Sequence, residues 1–153
     1  MQRKEYKKER AVGNGSKLKV ALVVSRFNSD ITDSMLEAAR ETLRAWGVTA
    51  RNTTTVFVPG SFEIPVACQK VIAKTKPHAI IALGCIIQGD TKHDHYIASA
   101  VSHGLMRLSL DHKIPISFGI LTTNNLAQAK ARSRGKENKG HEAALAVLET
   151  ALL

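Results

Sequence analysis

The stretch "GCIIQGDTKHDHYIA", residues 84–98, breaks an apolar run with a glycine and an acidic residue, then sets two histidines ahead of a helical pattern. Thr91 with Asp94 three residues on has capping-box spacing, which predicts Thr91 as N-cap of a helix starting at Lys92. A glycine-bearing turn entering a helix presents free backbone N–H groups at the positive dipole end, where an anion binds. In such a cradle Asp90 would offer its N–H and turn its carboxylate away. The same residues serve equally as plain helix capping. His93 heads the stripe His93, Ile97, Val101, Leu105 and Leu108, which predicts that it faces the sheet side of the helix. There an imidazole can move protons near neutral pH, or act as a capping or partly buried group.

Three further segments carry polar or aromatic residues of the right type. Phe27 and Phe62 lie in polar loops, as stacking faces for a flat heterocycle or as plugs over the core. Beside them Asn28 and Glu63 offer hydrogen bonds to hydroxyls, although Glu63 also suits the first turn of its own helix. The segment "QAKARSRGKENKG" supplies Arg132, Arg134, Lys136 and Lys139. A guanidinium grips phosphate with two parallel bonds, and a lysine stabilises developing negative charge. Arg134 and Lys136 read as solvated surface charge. His78 and His112 flank strand starts, while His95, His103 and His141 lie on helices without evident partners. No pair of histidines has metal-ligand spacing.

The elements that must hold these groups follow from periodicity. "KLKVALVVS", "TTTVFVPG", "HAIIALGCII" and "PISFGILT" read as short strands. Between them lie helical patterns: 31–46 with apolar Ile31, Met35, Leu36, Ala39, Leu43 and Trp46, then "FEIPVACQKVIAK" with Pro65 in its first turn, then 92–111. A helix over roughly 124–132, the loop "SRGKEN" and a last helix "KGHEAALAVLETALL" complete the chain. Four strand–helix alternations predict a three-layer α/β sandwich, with a four-stranded parallel sheet and helices on both faces. Ligands in such sheets sit beyond the carboxyl ends of the strands. "SRFN", "VPGSFE", "GCIIQGDTKH" and "FGILTTNN" all fall at that edge.

Composition narrows the class. The chain has 153 residues and a formal charge of +9. That charge is concentrated: +5 within residues 1–19 and +3 within 128–142, leaving about +1 elsewhere. The first cluster predicts a basic, disordered arm over 1–16 ahead of a single domain over 17–153. The second, interleaved with Gly, Asn and Ser, suits a small anion better than a nucleic-acid duplex. Cys68 and Cys85 lack CxxC spacing, which speaks against a disulfide framework and a zinc site. No run of about 20 apolar residues marks a membrane span, and no secretory signal follows the basic start. A cytoplasmic protein with no nucleic-acid and no membrane partner is expected.

Taken together, "RFN", "VPGSFEIP", "GCIIQGDTKHDHYI", "FGILTTNNLAQAKAR" and "NKGHEAA" appear in the order and at the intervals of one family. Over about residues 18–153 the chain resembles the 6,7-dimethyl-8-ribityllumazine synthases, transferases of the penultimate step of riboflavin biosynthesis. The resemblance implies a flavodoxin-like sheet and the condensation of 5-amino-6-(D-ribitylamino)uracil with 3,4-dihydroxy-2-butanone 4-phosphate. The products would be the lumazine, phosphate and water, with no metal and no organic cofactor. On this chain it implies that Phe27 stacks on the pyrimidine. Ser61, Phe62 and Glu63 would hold the pyrimidine and ribityl chain, with Asn28 close by. The backbone of Cys85, Ile86 and Ile87 would read the pyrimidine edge. Asp90, Thr91 and Arg132 would hold the phosphate, His93 would transfer protons and Lys139 would support.

The resemblance further implies a homo-oligomer of pentamers, open to closure into icosahedral shells and to association with riboflavin synthase. Active sites would lie between subunits, with Phe118, Arg132 and Lys139 supplied by the adjacent chain. One departure is visible: "RSRGKENKG" is one residue shorter than the R-A-G-x-K-x-G-N-K-G form of the family, which bears on where Lys139 sits. The alternatives are a non-catalytic flavin- or lumazine-binding module and a shell-forming paralogue of the same fold. Neither needs the set Thr91, His93 and Arg132.

Overall fold

The computed structural model describes residues 12–153. Strands and helices alternate along the chain: β1 (Val20–Ser25), α1 (Ser29–Ala45), β2 (Thr53–Val58), α2 (Ile64–Thr75), β3 (Ala79–Ile87), α3 (His93–His112), β4 (Ile116–Thr123), α4 (Leu126–Arg132) and α5 (Lys139–Ala151). The sheet is parallel throughout, in the order β2-β1-β3-β4. This is the expected flavodoxin-like sandwich. β1 and β3 are central and buried on both faces, which is why "VALVVS" and "AIIALGCII" read as continuous apolar runs rather than alternating ones. β2 is an edge strand, and its threonines stay partly in solvent.

Residue parity along the central strands assigns the two cores. Leu22, Val24, Ile81, Leu83 and Cys85 pack under α1 and α5 with Met35, Leu43, Val147 and Leu148. Val23, Ile80, Ala82 and Ile86 pack under α2 and α3 with Ile64, Cys68, Val101 and Leu105. The two cysteines thus lie on opposite faces of the sheet, which no disulfide can span. Helices α2 and α3 end at Lys76 and Lys113 in left-handed backbone, with Pro77 and Pro115 shortly beyond each stop. None of the described helices is long and apolar enough to cross a membrane.

Ahead of β1, Gly15 is buried and donates its N–H to the Trp46 carbonyl at 2.6 Å. Gly13 lies against the Trp46 ring so closely that a side chain there would overlap it. Gly13 and Gly15 thus pack against the domain while Val12, Asn14 and Ser16 are exposed; residues 1–11 of the expected arm lie outside the described residues. Trp46 itself is buried in the α1 core and has no part in the strand-tip edge.

The crossing of α1 and α5 depends on Gly140, because a Cβ there would collide with the Met35 carbonyl oxygen. Gly140→Ala is expected to destabilise the protein by about 1–3 kcal/mol, the usual cost of overpacking a closed contact. Denaturant unfolding of the variant checks this. An unchanged midpoint would mean that the helix pair can slide apart without cost.

Candidate active site

The strand order reverses direction between β1 and β3, so the crevice expected in a sheet of this kind opens between their carboxyl ends. β3 outruns β1 there. Their pairing stops at Val24–Leu83, whereas β3 pairs with β4 as far as Ile87–Thr123. Residues 84–87 consequently have no strand neighbour on the β1 side, and that edge of their backbone faces the crevice. Asn28 crosses it: its side-chain amide donates to the Cys85 carbonyl at 3.0 Å. Asn28 holds a left-handed backbone (φ 60°, ψ 48°), a conformation asparagine tolerates better than most residues. The loop after β1 is tied to the end of β2 by Arg26 N–H to Val58 O, 2.8 Å, and Phe27 N–H to Pro59 O, 3.0 Å. Gln88 N–H to Thr123 O, 2.8 Å, joins β3 to β4 beyond their last pair. The four strand tips form one connected rim.

Both candidate aromatics stand on this rim in solvent. Phe27 is 70% and Phe62 is 59% exposed, so neither plugs the core. An exposed phenyl ring at a sheet edge is a stacking surface without a partner. Phe62 belongs to a short 3₁₀ turn, Ser61–Glu63, seated directly on β3. Gly84 makes that seat: a Cβ there would lie 2.5 Å from Ser61 Oγ. Ser61 Oγ is buried and has no hydrogen-bond partner, whereas Glu63 is already committed, accepting the Gly60 N–H at 2.9 Å. Of the two roles open to Glu63, the structure displays the local one.

The segment after β3 departs from expectation in two respects. Helix α3 begins at His93 with Lys92 at the cap position, and no side chain caps it. Thr91 Oγ1 accepts only the His93 N–H, at 3.4 Å, so the Thr91–Asp94 capping box does not form. Residues 88–92 are all exposed, and Gly89 has open space where a side chain would project. The start of α3 thus has one long side-chain bond at His93 and no capping box. His93, expected against the sheet, is exposed instead. Its stripe is right, since Val101 and Leu105 are buried and Ile97 half-buried, but α3 starts beyond the last strand residue. Facing the sheet at that height means facing the open rim.

Arg132 ends α4, half-buried, and one guanidinium N–H donates to the Gln128 carbonyl at 3.2 Å. Lys139 opens α5 and pairs with Glu142 at 2.9 Å. Arg134 and Lys136 are exposed. Three other histidines have partners, contrary to expectation. His141 Nδ1 meets Thr42 Oγ1 at 2.7 Å, His103 Nδ1 meets the Ser99 carbonyl at 2.7 Å, and His95 stands edge-on to Tyr96. His78, at the opposite end of the sheet, accepts the Lys19 N–H at 2.9 Å. Burial pushes the Cys85 thiol up to about 11 and the Cys68 thiol to about 12. Neither sulfur is a nucleophile at neutral pH, and only the Cys85 backbone reaches the crevice.

Phe118 is 40% exposed on β4 and stands five residues before its last residue, Thr123. At about 3.3 Å per residue it lies roughly 16 Å short of the rim of its own chain. A cavity of about 520 Å³ lies elsewhere too, lined by Arg40, Arg44, Val48, Thr53 and Thr55 at the start of β2. Two positions carry more weight than their residue types announce: Gly84, which seats the Ser61 turn, and Asn138, whose side chain holds three segments together. A glycine inside an apolar strand and an asparagine before a helix were the available signals.

Comparison with known proteins bears on this rim directly. The family model described as 6,7-dimethyl-8-ribityllumazine synthase matches residues 17–153. The chain is similar to a 6,7-dimethyl-8-ribityllumazine synthase of Pediococcus pentosaceus, with 42% identity over 137 residues, covering 89% of this chain and 88% of the relative. With the five motifs in register on one connected sheet edge, the chain belongs to the 6,7-dimethyl-8-ribityllumazine synthase family.

Proposed function

We propose that the rim of strand tips carries out the condensation for which the family is named, and that a neighbouring subunit completes it. An amine of 5-amino-6-(D-ribitylamino)uracil attacks the ketone of 3,4-dihydroxy-2-butanone 4-phosphate. Loss of water gives an imine, elimination expels phosphate and leaves an enol that becomes a ketone, and the ribitylamino nitrogen attacks that ketone and loses a second water to close the ring of 6,7-dimethyl-8-ribityllumazine. The observation that carries this reading is the overhang of β3. There Cys85 and Ile87 turn their backbone groups away from β4 and toward the edge of a flat heterocycle, the Cys85 carbonyl bridged by Asn28, between the exposed rings of Phe27 and Phe62.

In this reading Phe27 stacks on the pyrimidine, and the backbone of Cys85, Ile86 and Ile87 reads its edge. Ser61, Phe62 and Glu63 hold the ribityl side, and Asn28 keeps the crevice at its width through Cys85. The unpartnered Ser61 hydroxyl beneath the turn remains available to a ligand or a water. Phosphate sits on the N–H groups of Asp90 and Thr91 at the start of α3, with Arg132 as its counter-charge. His93 stands in solvent beside that loop, placed to carry protons between successive intermediates. Each step moves a proton and none needs a strong nucleophile, which agrees with two inert thiols. Holding both substrates in attack geometry can supply roughly 7–11 kcal/mol of the acceleration.

A second subunit accounts for Phe118, which cannot reach the rim of its own chain. Exposed Phe57, Tyr96, Met106, Leu110 and Phe118 leave apolar surface on the edge strands and on α3 that a ring of copies would cover. A pentamer, with Phe118, Arg132 and Lys139 entering the adjacent site, is the assembly this implies. Two unpaired buried thiols suit a reducing cytoplasm.

Mixing the purified protein with both substrates tests the function. The expected result is lumazine fluorescence with one phosphate released per lumazine formed. Binding of the pyrimidine without phosphate release would make the protein a storage module instead. A monomeric mass in light scattering, with full activity, would remove the shared pocket.

A further inference from the structure

The segment joining α4 to α5 converges on a single buried carbonyl. Ser133 O accepts from Ser34 Oγ of α1 at 2.6 Å and from Asn138 Nδ2 at 2.6 Å, so both of its lone pairs are used. Asn138 Nδ2 also donates to the Ser34 carbonyl at 3.2 Å, while Asn138 Oδ1 accepts the Gly140 N–H at 2.9 Å and caps α5. Ser133 is fully buried and Asn138 nearly so. On its amino side Ser133 is held as well, its N–H and Oγ both donating to the Lys130 carbonyl at 3.3 and 3.2 Å.

Arg132 immediately precedes this knot. It ends a helix of only seven residues, a length that is marginal in water without tertiary support. The amino end of α4 has a cap of its own, Asn125 Oδ1 accepting the Gln128 N–H at 2.9 Å, and Ala129 anchors its middle in the core. The carboxyl end, where the guanidinium sits, has only the Ser133 knot. We propose that Asn138, with Ser34, is a positioning residue for the phosphate site: it fixes the end of α4 and thereby the place from which Arg132 reaches the phosphorylated substrate. This rests on the reading of Arg132 given above. It also accounts for the one-residue-shorter link, since a tight 3₁₀ turn, Gly135–Glu137, suffices to bring Asn138 back onto Ser133.

Asn138→Asp keeps the oxygen that caps α5 and removes both N–H donors to Ser34 O and Ser133 O. Steady-state kinetics with each substrate varied should show the KM for the butanone phosphate raised about tenfold, the pyrimidine KM staying within about twofold. In an Arg132→Ala background the same change should add nothing. Ser34→Ala, which removes one donor and leaves the Asn138 bonds, should move the same KM in the same direction by a smaller factor. It takes over as the test if Asn138→Asp does not fold. A purely structural role would lower the melting temperature or the active fraction without separating the two KM values, and that outcome overturns the proposal. So does an undiminished effect in the Arg132→Ala background. If Arg132→Ala itself leaves the butanone phosphate KM unchanged, the phosphate assignment falls and this inference with it. If it raises that KM and both hub variants do not, the inference alone fails.

Discussion

Replacing Arg132 with alanine is expected to raise the KM for the butanone phosphate about a hundredfold, with the pyrimidine KM within about twofold. The asymmetry follows from what each substrate carries. A phosphate dianion meets a guanidinium in charge-assisted, bidentate bonds, each worth about 1.5–3 kcal/mol when charged. The half-buried setting of Arg132 and the backbone N–H groups of the α3 loop hold the loss to about one such bond, roughly 2.7 kcal/mol or a hundredfold. The pyrimidine is neutral over the β3 backbone and takes nothing from a guanidinium. Because phosphate also leaves, kcat should fall together with affinity, as charge on the departing oxygens loses a stabilising partner. Arg132→Lys should recover only part of the loss, since an ammonium lacks the planar fork. Varying each substrate against saturating amounts of the other checks this. Parallel rises in both KM values would detach Arg132 from the phosphate.

His93→Ala is expected to lower kcat by about a hundredfold, near the low end of what general acid–base catalysis contributes. Affinity for the pyrimidine, measured by titration without the second substrate, should stay nearly unchanged. The low end is chosen because the imidazole is exposed and water can relay protons in its place. No hydrogen bond fixes its ring, so the substrates themselves must bring it to bear. Single-turnover runs followed by phosphate release and by lumazine fluorescence would show which proton transfer has slowed. An unchanged kcat would remove His93 from the mechanism, and a lost pyrimidine affinity would recast it as a binding residue.

Much of the fold could be read from spacing alone. Ile31, Met35, Leu36, Ala39 and Leu43 recur at helical intervals and are all buried on α1, because periodicity records which side of an element meets the core. "AIIALGCII" is apolar at every position because a central parallel strand has two covered faces. Pro65 stands in the first turn of α2, where a missing N–H costs little. That Phe27, Phe62 and Thr91 lie beyond the strand tips needed only the topology, since each follows the carboxyl end of a parallel strand.

Other features had no local signature. Thr91 has the residue type of a cap and the spacing of a capping box, yet the helix starts one residue later and the box does not form. His93 has the phase of a buried position but lies higher than the sheet reaches. Phe27 and Phe62 could have plugged the core, and it is the height of their loops above the rim that exposes them. These outcomes depend on how far each strand extends relative to its neighbours, a quantity no single segment encodes.

From its order of residues the chain settled its strands, its helices, the edge where chemistry gathers and the family to which it belongs, because burial and turn chemistry act over a few neighbouring positions. Only the folded chain decided that β3 outruns β1, that Asn28 bridges the gap to Cys85, and that Ser34, Ser133 and Asn138 meet. Those are contacts between residues 57, 99 and 104 positions apart. Their geometry is set by strand register and helix crossing, which arise when all the layers pack at once.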